Sequence, residues 1–174
     1  MGVRLTATIL LAVGVTAGAA HADEPATPEE VVAKVREAAA HLAENGEPGL
    51  VIFDQAESPF VWKDTYVFVY DCSADTIAAH PIAGTKGLAI STLADVDGVP
   101  FGRLLCEAAA AGGGWVEYKW AEPIADPGAD QLAAGDPSRK VAFIAAVPGQ
   151  PYQVSAGVYD DTLTAADLKS LIAE

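Results

Sequence analysis

The sequence runs to 174 residues, 51% of them apolar and 20% charged, with 24 Asp and Glu against 10 Lys and Arg for a net charge of -14. A chain this apolar can build a core, and a chain this acidic lacks the electrostatic hold on phosphate that nucleic acid or an anionic lipid surface requires. Nucleic acid is excluded as a partner, and the length suits one domain rather than two.

Residues 1–22 read as a secretory leader. Arg4 gives a short basic start, Leu5 to Ala20 is apolar and uncharged, and Ala20-His21-Ala22 has the form of a cleavage site. The apolar run is about 16 residues, short of the roughly 20 that span a bilayer, and it contains Gly14 and Gly18, so a cleaved leader is favoured over an anchor. The expected product is a single exported domain, 23–174, with no later segment apolar enough to span. Cys72 and Cys106 form an even pair in an oxidising compartment, which favours a structural disulfide. A redox or metal site is disfavoured, because no C-x-x-C occurs and no histidine lies near either cysteine.

The first element is a helix. Thr27 is its N-cap, Pro28 suits the first turn, Glu30 completes a capping box, and Asn45-Gly46 ends it. Val31, Val35, Ala38, Ala39 and Leu42 make one apolar face. His41 is read as a solvated residue near the negative pole of that helix. After a Pro- and Gly-punctuated stretch from Glu47 to Asp64, Thr65 to Cys72 alternates as a strand. Tyr66, Phe68, Tyr70 and Cys72 lie on one face and Val67, Val69 and Asp71 on the other. Thr76 to His80 returns as a hairpin, and Pro81 ends it.

Gly84 to Gly98 reads as an irregular loop, and a helix follows from about Pro100 to Ala111, stopped at Gly112-Gly113-Gly114. Strands are expected at Trp115 to Trp120, Lys140 to Val147 and Tyr152 to Tyr159, with Ala121 to Arg139 as a loop and a terminal helix at Thr164 to Ala173. The order is that of an α+β domain on one five-stranded antiparallel sheet. If Cys72 meets Cys106, the second helix is a crossover that covers the face bearing Tyr66, Phe68 and Tyr70, and the first helix covers Val67 and Val69.

The sequence offers no enzyme template. The histidines after the leader are His41 and His80, and no nucleophile elbow lies near either. Asp95-Val96-Asp97-Gly98 fails as a calcium loop, because Gly98 at position six puts Leu93 and Leu104 where ligating acids belong. The aromatic strands allow two readings. The rings fill a core, or they line a small pocket in which His80, Tyr118 and Lys140 are polar points for an anionic or polar ligand.

In chain order the runs YVFVYD (66–71), AHP (79–81), GTKG (84–87), DVDG (95–98), GWVEYKW (114–120), RK (139–140) and AGVYD (156–160) resemble the single Cache domain, type 2. This is an extracytoplasmic sensor module of bacterial chemoreceptors and histidine kinases. GWVEYKW and AGVYD are the more specific runs, and the resemblance covers nearly all of 23–174. It implies a PAS-like sheet flanked by a long N-terminal helix, with a pocket for small ligands, commonly short organic acids, between the sheet and the crossover segment. By this resemblance the pocket residues are Tyr70, His80, Tyr118, Trp120 and Lys140. Lys140 would hold a carboxylate and Tyr118 would add a hydrogen bond.

Phe143 stands where such domains often carry Tyr. The implied protein needs no cofactor or metal, has no catalytic residues and lies in the periplasm or outside the cell. With no membrane helix or output module after the domain, it is expected to signal through a membrane receptor or another exported protein. The alternative is a module with a packed core that docks onto such a protein.

Overall fold

The computed structural model describes residues 24–126 and 128–172. The expected leader, 1–22, and the end of the expected last helix, at Ala173, lie outside them. Helix α1 (Pro28–Asn45) starts with the capping box read from the sequence: Thr27 Oγ1 accepts from Glu30 N–H, and the Glu30 carboxylate accepts from Thr27 N–H. It ends at Gly46, whose φ of 59° suits glycine and whose N–H reaches the Leu42 carbonyl. Val31, Val35, Ala38 and Leu42 are fully buried along one stripe. His41 is not simply solvated: it is half-buried, hydrogen-bonded through Nε2 to the Gly49 carbonyl (3.2 Å) and edge-on to Phe53. The 3-10 turn Glu47–Asp54, which the sequence left as punctuated loop, folds back under it.

The expected strand Thr65 to Cys72 is divided. Strands β1 (Val61–Trp62) and β2 (Thr65–Tyr66) form a small hairpin around Lys63, whereas β3 (Phe68–Asp71) joins the main sheet. The main sheet is completed by β4 (Thr76–Ala79), β5 (Gly114–Ile124), β6 (Ala133–Ala146) and β7 (Gln153–Tyr159), in the order β4-β3-β7-β6-β5. Helix α2 (Phe101–Ala110) crosses between the first hairpin and the other strands, and Gly112 and Gly113 turn the chain out of it at positive φ. The architecture is α+β with a five-stranded antiparallel sheet, as expected.

Two further expectations need correction. Residues 121–139 are not all loop: β5 runs to Ile124 and β6 starts at Ala133, so the two continue past the sheet as a two-stranded ribbon, with a register shift between Ala121 and Pro123. Pro137 is tolerated in β6 because pairing with β7 begins only at Lys140, so the missing N–H breaks no inner ladder. The last segment is not a continuous helix. Thr164 and Asp167 cap each other through Asp167 Oδ2, and only a 3-10 turn, Lys169–Ile172, follows. Ties from Ala165 N–H to Glu117 and from Arg139 to the Leu163 carbonyl hold the segment against the sheet.

Strand alternation sorts the interior into two layers, as read from the sequence. On one face α1 packs against Val67, Val69, Trp115, Val141, Phe143 and Val154, with Trp62 at the margin. On the other, Phe101 and Leu105 of α2 pack against Tyr66, Phe68, Tyr70, Tyr118, Ala142 and Ile144, with Trp120 at the margin. The Cys72–Cys106 disulfide ties α2 to the end of β3, with the two Cα atoms 5.9 Å apart. At the other end of α2, a Cβ on Gly102 would overlap the Ile90 carbonyl oxygen. Gly102→Ala is therefore expected to push α2 off its seat and destabilise the domain by roughly 1–3 kcal/mol. An unchanged Tm in that variant would rule out the close approach.

Candidate functional site

The α2 face gathers all five pocket residues expected from the sequence. Register sets the floor: Tyr118 on β5, Lys140 on β6 and Tyr159 on β7 are direct cross-strand neighbours, so their side chains form one row. The next row, Val116, Ala142 and Gly157, includes small residues, which leaves the space above it to rings from elsewhere. Phe68 lies 5.3 Å from Tyr70, Phe101 stacks on Tyr118 at 4.4 Å, and Trp120 lies 5.2 Å from Phe101. His80 sits just past β4, with Tyr66, Phe68 and Trp120 around its ring at 5.0, 5.6 and 6.2 Å.

The segment around His80 is held from several sides. Asp54 Oδ1 accepts from His80 N–H (3.0 Å) and its Oδ2 pairs with Lys86. The ribbon closes the flank: Leu132 N–H reaches the Pro81 carbonyl, and Ala83 N–H returns to the Leu132 carbonyl. His80 Nδ1 accepts from Ile82 N–H (3.1 Å), which fixes the neutral ring with its proton on Nε2. Burial, and then the nearby Lys140 charge, hold the His80 pKa well below its ordinary value of 6.5, so the ring is neutral.

Lys140 is the unusual group. Its residue exposure is 0%, and its Nζ lies 4.1 Å from the centre of the Tyr66 ring, 4.7 Å from Tyr159 and 5.4 Å from Phe68. Its hydrogen bond runs to Tyr159 Oη (3.2 Å), which itself donates to the Ala121 carbonyl. No ion pair among the described residues includes it; the nearest-acting acid, Asp64, works through space and spends Oδ1 on Ala26 N–H. Burial pulls the amine from 10.5 down to about 7, offset only in part by Asp64. The Tyr66 hydroxyl is buried and makes no hydrogen bond of ordinary geometry, although the polar groups of Tyr159 and Trp120 lie close enough to act on it. Burial lifts the phenols of Tyr66, Tyr70, Tyr118 and Tyr159 above their ordinary range, so they remain donors at physiological pH.

The sequence reading missed Tyr66, Phe68, Phe101 and Tyr159 as site residues. The signal for Tyr66 and Phe68 was present, since they share the alternation that selected Tyr70, and Tyr159 follows once β6 and β7 are paired in register. Phe143 does not bear on the site. It faces α1 and packs against Trp115 at 5.3 Å, on the opposite side of the sheet from Lys140. The other motif residues are structural. Asp95 accepts from the backbone of Asp97, Val99 and Lys119, sewing its loop to the β5 edge, and Glu117 pairs with Arg139 at 2.8 Å.

The sequence matches the single Cache domain 2 family over residues 19–166. The chain belongs to that family. Among solved structures, this Cache domain is similar to a Cache chemosensory domain solved for its recognition of carboxylic acid, with a TM-score of 0.55 at 22% identity over 76% of this chain and 92% of that one. It is also similar to the periplasmic sensor domain of a chemotaxis protein (TM-score 0.52, 22% identity, 77% and 90% covered). A third is a methyl-accepting chemotaxis protein from Vibrio parahaemolyticus (TM-score 0.57, 20% identity, 76% and 88% covered). At these identities the likeness establishes the Cache fold. No curated protein matches the sequence.

Proposed function

We propose that this Cache domain is an exported sensor, residues 23–174 after loss of the 1–22 leader, that reversibly binds a short carboxylate at Lys140 and needs no cofactor. The observation that carries the reading is a fully buried lysine with no carboxylate partner among the described residues. An isolated ammonium in such surroundings costs several kcal/mol in lost hydration, and an incoming carboxylate supplies the missing counter-charge. His80 Nε2–H and the Tyr66 and Tyr118 hydroxyls are further donors, while Tyr70, Trp120, Phe68 and Phe101 bound the space and exclude water. Membership of a family of sensory ligand-binding domains supports this role, and the similar domain that recognises carboxylic acid supports the ligand class.

The similar periplasmic sensor domain supports an extracytoplasmic location. No helix among the described residues is long and apolar enough to cross a membrane. The readout in this proposal passes to a membrane receptor or another exported protein. The burial of Tyr66, Tyr70 and Tyr118 favours a second reading, a docking module whose aromatic face is simply core. Thermal unfolding with the disulfide intact, against a panel of small carboxylates, amino acids, amines and purines, separates the two. A ligand at 100 times its Kd contributes about 2.7 kcal/mol, which for this size raises Tm by roughly 5–10 °C. A shift selective for carboxylates is expected; a selective response to amines or purines instead would overturn the Lys140 assignment.

A further inference from the structure

We propose that above neutral pH a carboxylate enters this site together with one proton, so that the domain takes up the components of the undissociated acid; the inference rests on the carboxylate reading above. The argument starts from what faces the amine. Tyr118 and Tyr159 flank Lys140 along the sheet, Tyr66 and Phe68 stand over it from β2 and β3, with Tyr70 beyond Phe68, and His80 and Trp120 close the side. None of these brings a negative charge at neutral pH. The tyrosines are held protonated by burial, and His80 is held neutral by burial and by Lys140 itself. Asp64, near the β1–β2 turn, is the acid that acts on the amine, and it makes no ion pair with it.

Such a site is stable when the amine is neutral or when an anion arrives. In the empty domain burial shifts the amine toward the neutral form, to about 7. Binding reverses this. The neutral amine takes a proton from solvent, an N–H bond forms, and the resulting ammonium meets the carboxylate; nothing is oxidised or reduced, and no other bond is made or broken. The sign follows from linkage. Below pH 7 the amine already carries its proton and affinity is level, whereas above pH 7 each further pH unit costs close to tenfold in affinity.

The test measures Kd for acetate, propionate and pyruvate between pH 6 and pH 9 on the intact protein, with calorimetry at pH 8 in buffers of different ionisation heat. The expected result is a Kd about 50-fold weaker at pH 9 than at pH 7, with close to one proton taken up per ligand at pH 8. Lys140→Arg, whose guanidinium keeps its charge over this range, is expected to lose the pH slope wherever it binds. A Kd constant within threefold across the range, with heats independent of buffer, overturns proton coupling and leaves the carboxylate reading standing. A slope that persists in Lys140→Arg assigns the proton to another group and overturns the proposal. Failure of all three probes at every pH overturns both readings together.

Discussion

Lys140→Met is expected to yield a domain that no longer responds to carboxylates and yet unfolds at a higher temperature than the parent when no ligand is present. Methionine keeps the length of the side chain and its contact with the Tyr66 and Phe68 rings, and it removes a fully buried amine that Asp64 offsets only in part. Tyr159 keeps its bond to the Ala121 carbonyl, so the substitution strands no hydroxyl. Replacing even a buried ion pair with well-packed apolar groups of similar volume is often neutral or stabilising by about 1–4 kcal/mol, and this amine lacks the pair. That range corresponds to several degrees in Tm.

The gain has a defined pH dependence. Because burial depresses the Lys140 pKa to about 7 in the fold, the unfolded chain binds the extra proton between about 7 and 10.5. Parent stability from this group therefore rises with pH through that window, and its cost is complete below pH 7. His80, also depressed, adds a loss of stability as pH falls below about 6.5 in both proteins. Melting scans of parent and variant at pH 6, 7.5 and 9 are expected to differ most at pH 6. A variant less stable than the parent at pH 6 would mean that the amine has a structural counter-charge.

Removing the disulfide should have the opposite effect on stability and also weaken binding. The bridge joins positions 34 residues apart, and the loop-entropy relation gives about 3.8 kcal/mol for its closure. The double variant Cys72→Ala/Cys106→Ala is expected to melt roughly 8–15 °C lower. The bridge holds α2 near the end of β3, and α2 carries Phe101 onto Tyr118. With α2 less restrained, the site must be ordered at the moment of binding, so the carboxylate Kd is expected to rise several-fold. Paired melting and titration of the variant check both effects. A loss of stability with an unchanged Kd would separate the bridge from the site.

Much of this arrangement was legible from side-chain period alone. Alternation in 66–72 assigned Tyr66, Phe68 and Tyr70 to one face and Val67 and Val69 to the other, and the layers divide along that line. The capping box at Thr27 was equally direct, because all of its hydrogen bonds are local. The ribbon at 121–139 was not, since Pro, Asp and Gly mark a turn by composition and cannot reveal that a strand with one partner tolerates Pro137. The last segment carries a helix-start pattern at Thr164, but its geometry is set by distant Glu117 and Arg139. In the site, the five residues named from family resemblance converge, whereas the cage around Lys140 depends on β6–β7 register and on the break before Phe68, which no local pattern encodes.

The sorting of side chains between faces also distributes the chromophores. Of the three tryptophans, Trp62 and Trp115 belong to the α1 layer, and Trp120 alone stands at the edge of the site, beside His80 and Phe101. A carboxylate bound as proposed at Lys140 would change the polarity around that indole, with the two in the α1 layer as an internal standard. The emission of Trp120 is therefore expected to follow the binding proposed above in real time without a label.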